Sequence, residues 1–147
     1  MERFYDVEVK TRLMEDEEGH KGKVPIYATD GSACADLASP CDVDIQPCSG
    51  CVIDLLLQFD IPKGFKLVMY PRSSLLVKKG LFQPVSIIDS DYKDNIHVPL
   101  FNPTDRVVSI KEGERLAQIS PELVTQCNSW FQNNAVRNGG FGSTGTR

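Results

Sequence analysis

Asp42-Val43-Asp44-Ile45-Gln46-Pro47-Cys48-Ser49-Gly50-Cys51-Val52-Ile53-Asp54-Leu55-Leu56-Leu57-Gln58-Phe59 is the stretch that decides the fold class. Polar and apolar residues alternate from Asp42 to Ile45, Pro47 to Gly50 supply turn chemistry, and Val52 to Phe59 carries the chain back, which is a hairpin signature. The same rhythm continues outward in both directions. Upstream, Phe4 to Lys10 places Tyr5, Val7 and Val9 on one face of a first strand, and Val24 to Tyr27 reads as a short second one. Between them the acidic run Glu15 to Glu18, followed by Gly19 to Gly22, is a solvated loop in which His20 has no evident partner and receives no role. Downstream, strands fit Phe65 to Tyr70, Ile96 to Phe101, Val107 to Ile110 and Leu116 to Val124, separated by Pro62-Lys63-Gly64, Asn102-Pro103-Thr104-Asp105 and Lys111-Glu112-Gly113. Only Ser73 to Lys79 suits a helix, with a serine cap at its start. Short strands punctuated by turns about every ten residues predict an all-β sandwich or barrel of mainly antiparallel strands. The reading divides the chain into one β domain over 1–132 and an arm over 133–147. That arm is rich in Gly, Asn, Ser and Thr and lacks an apolar face, so it is expected to be mobile until a ligand or a neighbouring subunit orders it.

The chain has 147 residues, enough for one domain with a real core, and 41% of them are apolar. No apolar run approaches the ~20 residues that cross a bilayer. Met1 to Asp6 carries no apolar signal region, so a soluble cytoplasmic protein with no membrane partner is expected. A net charge of −4 and a pI near 5.1 argue against a nucleic-acid-binding face. An anionic ligand would need a local basic pocket or a metal. Of the five cysteines, Cys48 and Cys51 form a C-x-x-C that with Cys34 and Cys41 could offer four thiolates to zinc. Structural zinc sites usually pair two such knuckles and only one is present, so reduced thiols at Cys34, Cys41, Cys48, Cys51 and Cys127 are the reading, with Cys48 and Cys51 flanking a Ser-Gly turn.

Four further stretches hold groups with chemistry to offer. In Val85-Ser86-Ile87-Ile88-Asp89-Ser90-Asp91-Tyr92, the apolar pair Ile87 and Ile88 anchors a strand end and leaves Asp89 free to project beside the ring of Tyr92. A fixed carboxylate beside an aromatic wall suits a general base, although acids also simply decorate turns. Pro71-Arg72-Ser73-Ser74 sits where a guanidinium and backbone N–H groups can converge on phosphate, or where a strand merely passes into a helix. Gly113-Glu114-Arg115-Leu116-Ala117-Gln118 reads locally as a turn entering a strand. Gly139-Gly140-Phe141-Gly142-Ser143-Thr144-Gly145 combines permissive backbone, hydroxyl donors and an isolated ring fit to stack on a planar ligand, or is a disordered terminus.

Together with Gly31-Ser32-Ala33-Cys34-Ala35-Asp36-Leu37, these stretches resemble, in order, the five motifs of the trimeric dUTPase family, over about Gly31 to Arg147. The resemblance implies a distorted jelly-roll or β-barrel with one short helix, and hydrolysis of dUTP to dUMP and pyrophosphate with Mg2+. It makes Asp89 the base that activates water. It sets Tyr92 against the deoxyribose, and uracil in a hairpin around Gln83 to Tyr92 that includes Ile88. Arg72, Ser73, Ser74 and Gln118 would hold phosphates, and Asp36 would reach the metal through water. Phe141 would stack on uracil, with Gly142, Ser143, Thr144 and Arg137 closing over the nucleotide. A homotrimer with active sites shared between subunits follows from the same resemblance. The chain departs from the commoner pattern at Cys34, Ala35, Ser74, Ser86 and Asp94, and Arg137 stands one residue nearer the aromatic than usual.

Two alternatives share these residues. The similar dCTP deaminases place a catalytic glutamate on the strand that here reads His97-Val98-Pro99-Leu100-Phe101-Asn102, where Pro99 occupies the matching position. A non-catalytic nucleotide-binding regulator would be expected to lose the acid or the tail, and Asp89 and Phe141 are both present. A regulatory protein partner in addition to catalysis is left open.

Overall fold

The computed structural model describes residues 6–139. Ten strands and one short helix follow one another: β1 (Lys10–Leu13), β2 (Ala35–Ala38), β3 (Val43–Ile45), β4 (Ser49–Asp54), β5 (Leu57–Asp60), β6 (Phe65–Pro71), α1 (Ser73–Lys79), β7 (Ser86–Ile88), β8 (His97–Asn102), β9 (Val108–Ile110) and β10 (Arg115–Leu123). All pairings are antiparallel. They form a four-stranded sheet ordered β2-β10-β6-β7 and three two-stranded ribbons, β1-β5, β3-β9 and β4-β8, so the all-β class with one short helix is as the sequence predicts, without closure into a continuous barrel among the described residues. No helix in them is long and apolar enough to cross a membrane.

The pairing differs from the sequence reading in an instructive way. The hairpin expected over Asp42 to Phe59 does not form: Val43 pairs with Ile110 and Val52 with Pro99, so each arm finds a partner far along the chain. The turn lies at Pro47 and Cys48, with Cys48 at φ 50°, and Ser49 and Gly50 already belong to β4. The return strand is broken as well. Leu55, Leu56 and Leu57 are all buried, an arrangement period-2 alternation cannot supply. Leu56 reverses the chain at φ 55° with its N–H on Asp54 Oδ1 (2.8 Å), which divides the run into β4 and β5. Of the strand expected over Phe4 to Lys10, Phe4 and Tyr5 lie outside the described residues and 6–9 are not in a strand, so β1 starts at Lys10, and Ile26 makes a single bridge to Asp36 in place of a strand over 24–27. His20 does have a partner: its Nδ1 lies 2.8 Å from Asp16 Oδ2, while Asp16 Oδ1 accepts the N–H groups of Glu18 and His20. That contact holds the imidazole pKa above 6.5.

The helix spans the predicted residues, but its cap is Arg72 in an extended conformation and no serine side chain closes its first turn. Gly80, at φ 71°, ends it by donating to the carbonyls of Leu75 and Leu76, a left-handed cap that suits glycine. One core joins every sheet, with Leu37, Ile45, Leu55, Leu57, Met69, Leu81, Val98, Ile110 and Leu116 buried in it. Asn102 is the polar node of that interior. Its Nδ2 donates to the carbonyls of Ile45 (3.0 Å), Gln46 (3.2 Å) and Arg106 (2.7 Å), and its Oδ1 accepts from the N–H (3.0 Å) and hydroxyl (2.7 Å) of Thr104.

Candidate active site

β7 pairs with β6, setting Leu67 opposite Ile88 and Met69 opposite Ser86, so the chain leaves the sheet edge immediately before Asp89. A turn closed by Tyr92 N–H on the Asp89 carbonyl (3.1 Å) then brings the ring back over the same spot. The Tyr92 hydroxyl donates to the Asn95 carbonyl (2.7 Å), and the Asn95 side chain is held by Asp54 and Gln58, which fixes the ring. Burial, then the nearby charges of Asp94 and Asp54, raise the phenol pKa, so Tyr92 is a neutral wall. The result is a cleft of about 190 Å³ with Met69, Ile88, Ile96, Pro99 and Tyr92 as its apolar lining and Asp89 at its edge. The segment is not a hairpin: β7 belongs to the four-stranded sheet and β8 to the ribbon with β4. Gln83 is buried outside this cleft, and its side-chain amide finds no hydrogen-bond partner among the described residues.

A second cleft, about 350 Å³ and polar, lies where β2, β6 and β10 run side by side. Register builds it. Gln118 stands opposite Asp36 on one side and Tyr70 on the other, so Asp36, Gln118 and the end of β6 form one row across the sheet. Gln118 donates to the Pro71 carbonyl (3.0 Å), and Arg72, Ser73 and Ser74 follow at the entry to α1. Asp36 lies between two guanidiniums, with Oδ1 3.2 Å from Arg72 Nε and Oδ2 3.3 Å from Arg115 Nη1. A bulge between Arg115 and Ala117 inserts one extra residue, which lets Arg115 and Gln118 share a face despite their odd spacing. Behind the cleft, Glu114 pairs with Lys79 (2.8 Å). Burial pushes the Glu114 carboxyl up, but the hydrogen bonds from Lys79 and Lys111 outweigh it and leave its pKa lowered.

The structure thus gathers the expected residues into two groups. Asp89, Tyr92, Ile88 and Arg137 meet at the first cleft, and Asp36, Arg72, Ser73, Ser74 and Gln118 at the second. The two clefts have no lining residue in common. Phe141, Gly142, Ser143 and Thr144 lie outside the described residues. Sequence reasoning missed Met69, and it missed His97, which lines the first cleft with Nε2 3.6 Å from Asp54. Both reach the cleft through cross-strand register, for which a single sequence carries no signal. The five cysteines are free thiols. Among the described residues no three His, Cys, Asp or Glu side chains are grouped to hold a metal ion.

The sequence profile of the dUTPase family matches residues 20–145. Among curated relatives, the deoxyuridine 5'-triphosphate nucleotidohydrolase of Hydrogenobaculum sp. (strain Y04AAS1) is 36% identical over 131 residues, covering 84% of this chain and 91% of its own. The enzyme of the same name from avian adenovirus 8 is 37% identical over 127 residues, covering 82% and 77%. Among solved structures, a mutant dUTPase from phage phi11 of S. aureus, described with a structural Mg(II) ion, superimposes with a TM-score of 0.73 at 19% identity, covering 88% of this chain and 98% of that one. With six-sevenths of its sequence inside that profile and relatives above one-third identity over more than four-fifths of its length, the chain belongs to the dUTPase family.

Proposed function

We propose that the protein is a dUTP diphosphatase that hydrolyses dUTP to dUMP and pyrophosphate, removing dUTP before it can be used for DNA and supplying dUMP. The observation that carries this reading is Asp89, a carboxylate fixed at the mouth of an apolar cleft walled by Tyr92. In that position it accepts a proton from water as the oxygen attacks the α-phosphorus, and the bond to the pyrophosphate oxygen breaks on the opposite side. Tyr92, Ile88 and the neighbouring main chain enclose the deoxyuridine, and a close ring leaves no room for a 2′-hydroxyl. Arg72, Ser73, Ser74 and Gln118 hold the phosphates, with Arg72 kept in place by Asp36. Phe141, Gly142, Ser143, Thr144 and Arg137 belong to the arm, 133–147, that closes over the nucleotide bound to the domain formed by 1–132.

Magnesium fits this donor set as an outer-sphere ion. Mg2+ keeps several waters and binds through substrate phosphates with few protein ligands, and Asp36 is a carboxylate in the phosphate cleft able to hold one of those waters. When bound, it screens the charge that a net-acidic protein must accept along with a triphosphate.

Because the nucleoside and phosphate clefts share no lining residue, we infer a homotrimer in which neighbouring subunits join one cleft to the other. The outer face of the β4–β8 ribbon supports this. Val52 pairs with Pro99, Phe101 bridges to Phe82, and Val52, Phe82 and Phe101 are exposed in an apolar strip that runs into the first cleft at Pro99. Soluble, cytoplasmic action on a free nucleotide, without membrane or nucleic acid, completes the proposal.

The test is incubation of the purified protein with dUTP, dCTP, dTTP and UTP plus Mg2+, following pyrophosphate and ammonia. Pyrophosphate from dUTP alone, lost in Asp89→Asn, is the expected result. Ammonia from dCTP would instead establish a deaminase, against which stands Pro99, a residue with no proton to move, in the cleft beside Asp89. Binding without turnover would leave a non-catalytic regulator.

A further inference from the structure

Each of the three guanidinium nitrogens of Arg137 donates a hydrogen bond inside the chain. Its Nε donates to Asp91 Oδ1 (2.7 Å), its Nη2 to Asp89 Oδ2, and its Nη1 to the Gly139 carbonyl (3.1 Å). The guanidinium also lies 5.8 Å from the centre of the Tyr92 ring. Its side chain is only 14% exposed, whereas the two carboxylates it bridges are more than half exposed, so the arm lies across the mouth of the cleft. Both of the cleft's distinguishing groups, acid and aromatic, are thus covered by one side chain.

We propose that Arg137 is a resting latch that closes the nucleoside cleft of its own chain before substrate arrives, with Asp91 as the positioning carboxylate that holds it there. This rests on the reading of Asp89 as the water-activating base. A base whose oxygen already accepts from a guanidinium has that lone pair engaged, so the attacking water cannot take the same place. An oligophosphate offers the guanidinium a fork of anionic oxygens equal or better in charge to the two carboxylates. Binding therefore draws Arg137 away and frees Asp89 in the same movement. The latch has a cost in affinity, because only the open fraction of the chain accepts nucleotide.

Trypsin reads the latch directly, since Arg137 is its cleavage point and cutting there releases the terminal ten residues, 138–147. In the full-length, nucleotide-free protein, mass spectrometry should find cleavage after Arg137 markedly slower than in a free peptide spanning the same residues. Asp91→Asn should speed that cleavage about fivefold, as expected on losing a charge-assisted hydrogen bond, and Asp91→Glu should restore protection. Asp105→Asn, which removes the same charge from an exposed side chain outside the cleft, should leave it unchanged. In steady-state assays Asp91→Asn should lower KM for dUTP by a similar factor without lowering kcat.

Cleavage of the wild-type chain at the free-peptide rate, or equal rates in the wild type and Asp91→Asn, would overturn the proposal. So would a raised KM in Asp91→Asn. The catalytic reading fails separately: Asp89→Asn protein that still hydrolyses dUTP would refute the base, while its trypsin kinetics would still report on the latch.

Discussion

Replacing Asn102 with alanine should cost more stability than any other single polar substitution in the described core. Asn102 is fully buried, and its five contacts join β8 to the end of β3 and to the loop before β9. Alanine removes both side-chain donors and the acceptor without offering water a way in. The Thr104 hydroxyl can turn to the Arg106 carbonyl, 3.1 Å away, so that group is not stranded. The Thr104 N–H and the Ile45 carbonyl are, at about 1–3 kcal/mol each. With a small contribution from the cavity, the expected loss is about 4 kcal/mol. For a chain of this size that lowers Tm by about 12 °C. Thermal melts at one fixed protein concentration are the assay, because the subunit association proposed above would make Tm depend on concentration. Asn102→Asp, with the same shape but a carboxylate facing three carbonyls, should melt below Asn102→Ala at pH 7. A fall of less than about 3 °C in Asn102→Ala would refute the assignment of this side chain as the polar node.

Other expectations follow from single contacts. A Cβ on Gly22 would sit 2.0 Å from the Leu56 carbonyl oxygen, so Gly22→Ala must displace the backbone between β4 and β5 and should cost about 3 kcal/mol in urea unfolding. Asp36→Asn releases Arg72 and Arg115 together; KM for dUTP should rise about fivefold with Tm moving by no more than about 3 °C, as measured by steady-state kinetics and a melt. His20 should titrate above 6.5 by NMR. Because its folded pKa is raised, the stabilisation from Asp16 is complete below the unfolded value and fades as pH rises through the folded one. Wild type should therefore exceed His20→Asn in Tm at pH 5.5 and lose that margin by about pH 8.5.

How far the sequence could be read follows from what each signal reports. Alternation identifies which residues face a core, so the strands around Phe65, His97 and Val108 and the helix over Ser73–Lys79 lie where periodicity places them. It says nothing about which strand a given edge will meet. Val43 reaches Ile110 and Val52 reaches Pro99 across dozens of residues, and a proline-containing turn between two alternating runs looked local when it was not. The three leucines at 55–57 mark the break, since three consecutive buried residues fit no strand exposed on one side. Short motifs singled out Asp89, Tyr92, Arg72 and Gln118, and the structure places the first two in one cleft and the last two in the other. The bridge from Arg137 to Asp89 and Asp91 was invisible, since it depends on where the chain returns after β10.

The doubled residue in β10 near Leu116 has a consequence for how this sequence can change. Flattening that bulge with every residue kept would restore simple alternation, and Arg115, three positions before Gln118, would swing to the opposite side of the sheet. Lineages are therefore free to lengthen or trim an exposed loop such as 16–19, whereas one residue added at 116–117 beside the retained bulge would part Arg115 from Gln118 and Asp36 while leaving all three amino acids intact.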